Sequence, residues 1–217
     1  MQFIDVIAEV RRMLQDTNTN AALQRYSDAT LLGFGNQTLK RMAIIRPDLF
    51  SYIGEVSTTS GQVLQSMPTD SIRVMEIFQV KNGESVRETN RETLDQTYPA
   101  WQNDTPGPAV NWMRHTRNPN RFFIYPKAPV GQILIAEYAR APQDYTLAED
   151  IDILPDVYFP VILDGMIFLA ESIDNEHVSS QRAQLFQQSF LQTLATSFQS
   201  RTATDTETAG VDPKEVA

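Results

Sequence analysis

The sequence predicts an α+β fold: a helical bundle formed by N- and C-terminal helices, with an inserted antiparallel β-sandwich or barrel-like domain and an extended C-terminal tail. Three observations predict it. Apolar residues recur at helical spacing near both ends, residues 52–141 switch to alternation punctuated by glycine and proline, and residues 201–217 have no periodic apolar set. The expected organisation is therefore 1–50 and 146–200 helical, 51–145 β-rich, and 201–217 extended or disordered.

The first helix rests on Phe3, Ile4, Ile7, Val10, Arg11 and Leu14, an amphipathic stripe ended by Thr17-Asn-Thr-Asn20. Ser27-Asp28 offers two capping residues for a second helix through Leu31, Leu32, Gly35, Leu39, Met42 and Ala43. Pro47 stops it, because the residue before proline is driven out of the α region. Gly33 and Gly35 weaken its interior by about 1 kcal/mol each unless they admit a close neighbour.

In the β-rich part, Tyr52–Ser57 and Gln62–Ser66 flank Thr-Thr-Ser-Gly61 as a hairpin. Ile72–Val80 and Ser85–Glu88 flank Lys81-Asn-Gly-Glu84, where Asn-Gly suits the two positive φ angles of a type I′ turn. Phe122–Tyr125 and Gln132–Ala139 read as a third pair around residues 126–131. Ile133 and Ile135 on one face, and Leu134, Ala136 and Tyr138 on the other, make the last strand a central one. Between strands lies the irregular stretch Leu94–Asn111, with Tyr98-Pro-Ala-Trp101 inside it. Trp101 and Trp112 read either as pins for this loop or as part of a functional surface.

After the acidic connector Asp144–Asp156, Val157–Ile173 is apolar nearly all round, so several faces require cover. A last helix from Ser179 or Ser180 to about Ser200 carries Ala183, Phe186, Phe190, Leu194 and Phe198 on one stripe. Ala183–Ser200 contains no charged residue, which suits packing against another protein better than solvent, although an ordinary amphipathic helix is also consistent. Val211 and Val216 are the sizeable apolar anchors of the tail.

Composition narrows the function. The chain of 217 residues has no cysteine, which excludes disulfide scaffolds, thiolate chemistry and iron–sulfur ligation. His115 and His177 fall in different elements, so no multi-histidine metal centre is expected, and no cofactor. A net charge of −9 is the wrong sign for a chain that grips nucleic acid over a wide surface. The N-terminus has its charges after its apolar residues, the reverse of a secretory signal. The apolar run 157–173 is too short and carries two acids, so no membrane partner is expected.

Gly33-Phe-Gly35 lacks the third glycine and the preceding strand of a nucleotide loop. Glu149, Asp150, Asp152 and Asp156 lack the glycine and terminal glutamate of an EF-hand. Neither a Gly-x-Ser-x-Gly elbow nor an oriented histidine is present, so no catalytic residue is expected. The one concentrated positive patch, Arg114, Arg117 and Arg121 with His115, reads as a contact for an acidic neighbour or a passing phosphate backbone, or as a solvated loop tip.

Several segments, in order, resemble a family of tailed-bacteriophage head-to-tail adaptors. They are Tyr26-Ser-Asp-Ala-Thr-Leu-Leu with Asn36, Arg46-Pro-Asp48, Gly61-Gln62, Met67-Pro68 and Asp70-Ser-Ile72. Leu94-Asp95 with Tyr98-Pro-Ala-Trp101, Asn118-Pro119, Phe123-Ile-Tyr125-Pro126 and Gly131–Tyr138 follow. The resemblance implies a virion component without enzymatic activity: a ring, commonly of twelve copies, between portal and tail, through which DNA passes without sequence-specific binding. Its partners would be the portal ring, the tail tube or nozzle, and further copies of itself. On this reading Phe186, Phe190, Leu194, Phe198, Val211 and Val216 are candidates for portal or subunit contacts. Trp101, Trp112, Arg114, Arg117 and Arg121 are candidates for tail contacts. The alternative is a β-sandwich ligand-binding module that stacks a sugar or peptide on the Trp101–Trp112 loop and uses its helices as oligomerisation arms.

Overall fold

The computed structural model describes residues 1–173 and 180–208. The chain divides into two compact units, one of residues 1–45 with 143–217 and the other of residues 46–142. The four longer helices lie in the first and the two mainly antiparallel sheets in the second, an α+β fold.

The helical unit contains α1 (Phe3–Leu14), α2 (Asp28–Ile45), α4 (Phe159–Glu171) and α5 (Ser180–Thr208), with α4 packed against the other three. The buried face of α1 is Phe3, Val6, Ile7, Val10, Arg11 and Leu14. Ile4, expected on this stripe, is 52% exposed, and Val6 takes the inward position. The helix ends at Gln15, whose left-handed backbone (φ 58°) aims its N–H at the carbonyls of Arg11 and Arg12.

Arg11 is nine-tenths buried and holds the turn into α2. Its guanidinium donates to Asp16 at 2.8 Å, to Asp28 at 2.6 Å and to the Tyr26 carbonyl at 2.8 Å. Asp16 also accepts from the backbone N–H of Arg25 and Tyr26, so a buried charge pair is satisfied from both sides. Of the two candidate caps for α2, Ser27 performs the task, its Oγ accepting from the Thr30 N–H at 3.1 Å.

The two glycines of α2 differ. A Cβ at Gly35 would collide with the Phe3 ring of α1, whereas one at Gly33 would meet nothing within 4 Å. Gly165 of α4 likewise admits the Thr38 side chain of α2 and brings Phe190 of α5 close. Tyr26 Oη donates to the Ala170 carbonyl at 2.7 Å. Asn36 exchanges two hydrogen bonds with the backbone of Tyr145 and so anchors the start of the acidic connector. Burial, then a hydrogen bond to Asp152, pushes the Tyr145 phenol up to about 12.

Val157 and Ile173, at the ends of the apolar run, are exposed; α4 is the covered part between them. The last helix continues beyond the expected stop near Ser200 to Thr208, because no glycine or proline occurs before Gly210. Residues 201–208 are thus helical and not extended.

The β-rich unit is built from β1 (Ser51–Ser57), β2 (Leu64–Ser66), β3 (Ser71–Val80), β4 (Arg87–Glu88), β5 (Asn111–Arg114), β6 (Arg121–Tyr125) and β7 (Ile133–Arg140), with the short helix α3 (Arg91–Thr97) between β4 and β5. One sheet has the order β1-β7-β3 and the other β2-β6-β5-β4, and they share one apolar core that includes Val56, Ile77, Trp112, Phe122, Ile124 and Leu134. This is a sandwich; neither sheet closes into a barrel among the described residues.

Strand pairing departs from the expected hairpins. β1 pairs with β7 and β2 with β6, so the 58–63 connection crosses between sheets. β6 and β7 likewise lie in different sheets. The β3–β4 return keeps its tight turn, with the Gly83 N–H on the Val80 carbonyl, but Asn82 (φ 57°) alone has positive φ, so it is not type I′. β4 then leaves β3 to pair in parallel with β5, the one parallel ladder among the described strands. The last strand is central as expected, although only its Leu134, Ala136 and Tyr138 face is fully buried.

Substituting the two α2 glycines separates backbone cost from packing. Gly33→Ala should raise stability by up to about 1 kcal/mol, and Gly35→Ala should lower it by about 1–3 kcal/mol through overpacking against Phe3. Urea denaturation midpoints of the two variants check both signs.

Candidate interaction surfaces

The outer face of the second sheet carries an aromatic assembly. Phe122 and Ile124 of β6 point into the core, which leaves Phe123 and Tyr125 on the opposite face. The segment from α3 to Trp101 folds over them. Trp101 meets both rings edge-on with centroids 6.4 and 6.3 Å away, and its Nε1 donates to Asp95 at 2.7 Å. Asn90 caps α3 by accepting from the Glu92 N–H. Asp104 accepts from both Tyr98 and Tyr125 hydroxyls, at 2.7 and 2.9 Å. These bonds, together with the carboxylate charge, hold both phenols above their ordinary range.

His115 stacks on Phe123 at 5.6 Å, and the Arg91 guanidinium lies 4.8 Å from the same ring centroid. His115 Nδ1 accepts from the N–H groups of Arg117 and Asn118, so this nitrogen carries no proton and shapes the loop that bears the arginines.

Both tryptophans are fully buried. Trp112 belongs to the core between the sheets and Trp101 to the outer aromatic layer, so neither presents a ring for stacking a sugar or peptide. That removes the feature on which the ligand-binding alternative depended. The three arginines also separate. Arg114 is built into the unit: it pairs with Glu88 at 2.6 Å, donates to the carbonyls of Val74 and Met75, and lies 4.9 Å from the Trp112 centroid. Arg117 and Arg121 are exposed, and among the described residues neither has an acidic partner.

On α5, Phe190 is 4% and Leu194 0% exposed, and Phe186 is half-buried. Of the stripe that the sequence nominated for docking, packing inside the helical unit takes up Phe190 and Leu194. The surface left outward carries Gln184, Leu185, Gln187, Gln188 and Leu191, with Leu185 66% and Leu191 44% exposed. The Phe198 side chain, Val211, Val216 and His177 lie outside the described residues. Hydrophobic spacing found the stripe; the outward leucines, off that register, were the signal it passed over.

Many residues that carry the resemblance act as fasteners: Tyr26 and Asn36 in the helical unit, the Arg46–Asp48 pair at 2.6 Å, and Asp95 with Trp101. Among the described residues no group of three His, Cys, Asp or Glu side chains could hold a metal ion, and no helix is long and apolar enough to cross a membrane.

A family model described as SU10 adaptor protein matches residues 1–213, and the chain belongs to that family of bacteriophage adaptors. No curated protein matches the chain.

Asp104→Asn should lower the titrations of Tyr98 and Tyr125 toward about 10, the ordinary phenol value. In the native chain their bonds to Asp104 persist below that pH and are lost as the pH rises through the elevated values. Ultraviolet absorbance of tyrosinate, recorded against pH for both proteins, measures the difference.

Proposed function

We propose that the chain is a head-to-tail adaptor of a tailed-phage virion: copies close into a ring, twelve by the resemblance, that joins the portal to the tail and surrounds the DNA exit channel. The observation that carries this reading is the outer face of α5 between residues 183 and 195, which has no charged residue and leaves Leu185 and Leu191 exposed, in a chain of a phage adaptor family. A helix that bares glutamine and leucine in place of lysine and glutamate is suited to a protein neighbour. For a ring, this contact must be head-to-tail and close by rotation.

The charge supports passage of DNA without capture. Twelve copies at −9 each would give a ring of about −108, which repels a phosphate backbone instead of binding it. In the proposed division of labour the 1–50 and 146–200 helices form the ring body, residues 201–217, helical as far as Thr208, dock on the portal, and the 51–145 part, with Arg117 and Arg121 exposed at its surface, receives the tail tube or nozzle.

Light-scattering mass of the chain alone and after mixing with the portal ring tests the proposal. A single complex of fixed stoichiometry is expected, and a chain that ignores the portal overturns it. Deleting residues 201–217 should weaken portal binding with the fold intact, as read from portal pull-down and the melting curve. Arg117→Ala with Arg121→Ala should impair tail attachment and leave the ring's mass unchanged, as counted by electron microscopy of assembled particles.

A further inference from the structure

The β1-β7-β3 sheet has two edges, and the chain treats them differently. The β3 edge is closed. Its Val74 N–H donates to the Pro119 carbonyl at 3.0 Å, the Val74 and Met75 carbonyls accept from Arg114, and the Phe78 carbonyl accepts from the Val86 N–H at 2.9 Å. The β1 edge is open.

Alternation identifies its unused groups. The Thr58 N–H donates to the Gln132 carbonyl and continues the β1–β7 register, so residues 52, 54, 56 and 58 face β7. Ser51, Ile53, Glu55 and Ser57 direct their N–H and C=O groups away from it, and among the described residues no hydrogen bond reaches them. Tyr52 and Ile53 are 45% and 59% exposed, although they neighbour each other on opposite faces of the strand. The usual protections of an edge are missing: β1 has no proline or lysine, and its one charge, Glu55, is paired with Lys81 at 2.8 Å.

We infer that β1 is a strand-addition site: an extended segment of a neighbouring virion protein pairs with the outward groups of Ser51, Ile53, Glu55 and Ser57 and packs an apolar side chain beside Ile53. The inference rests on the adaptor reading for the source of that strand. A row of alternating donors and acceptors at strand spacing is satisfied by another extended backbone; a helix or a duplex presents no matching row. A head-to-tail copy has no comparable edge among its described strands, since β2 has three residues and β4 two. The occupant is therefore a different polypeptide.

The test is residue-resolved amide exchange on the free full-length chain and on the head-to-tail complex isolated from virions. In the free chain the amides of Ser51, Ile53, Glu55 and Ser57 should exchange fast, and those of Tyr52, Gly54 and Val56 slowly. In the complex the first set should slow by at least about tenfold, with the second set unchanged. Ile53→Lys should retain the wild-type melting temperature and lose this protection along with most incorporation into particles.

Unprotected odd-numbered amides in a complex that contains the chain overturn the inference alone. Absence of the chain from virions overturns the adaptor reading and the inference with it. Protection already present in a free dimer that Ile53→Lys dissolves, or protection lost on deleting residues 209–217, assigns the strand to a second copy and overturns the foreign-strand inference.

Discussion

A helix without a polar side can exist in water only if other elements surround it, and α4 imposes that condition on the helical unit. Val161, Ile162, Met166, Ile167, Leu169 and Ala170 are all buried, so cover is needed on several sides, and α1, α2 and α5 supply it. Close approach requires small residues at the crossings, hence Gly165 against Thr38 and Gly35 against Phe3. It also brings a carboxylate inside: Glu171 is 2% exposed and reaches Arg182 of α5 at 3.7 Å. The tie between α4 and α5 is thus ionic at Glu171, polar where Ser189 donates to Asp164 and apolar at Phe190 and Leu194, which face inward while Gln184, Gln187 and Gln188 face outward.

The β-rich unit meets a different constraint. Its four-stranded sheet has apolar residues on both faces of β6, and a two-layer sandwich covers only one. The stretch from Arg91 to Asp104 provides the second cover, with Trp101 as its centre and Asp95 and Asp104 satisfying the polar atoms that come with large aromatic rings. The irregular loop is consequently a third layer. Arg91 and His115 complete it, one above the Phe123 ring and one stacked against it.

The helices were legible in the sequence because their signal is local: spacing, a cap at Ser27 or Asp28 and Pro47 as stop located α1 and α2, and the structure chose Ser27. The strands were legible as strands, but their partners were not. Pairing depends on residues far along the chain, and nearness in sequence favoured hairpins where the chain crosses between sheets, at 58–63 and 126–132. Trp101 and the arginines show the same limit for surfaces. Residue type marked them as anchors or charges, but burial and pairing are decided by what folds beside them: Trp101 is covered, Arg114 is held by Glu88 and two backbone carbonyls, and Arg117 has no acidic partner among the described residues. The Ala183–Ser200 composition did report an unusual face; which residues occupy it depended on the rotation of α5 about its own axis.

The register of the first and last strands of the β-rich unit has a consequence for how this chain tolerates change. Ser51 stands opposite Ala139, so the polypeptide enters and leaves that unit through antiparallel neighbours, with termini separated by about one strand spacing, ~5 Å. An insertion with adjoining ends adds little loop-closure entropy for the helices that receive it. The unit has the form of a cassette. A sandwich held through adjoining ends can be lengthened or exchanged without reopening the packing of the helices on either side of it in the sequence.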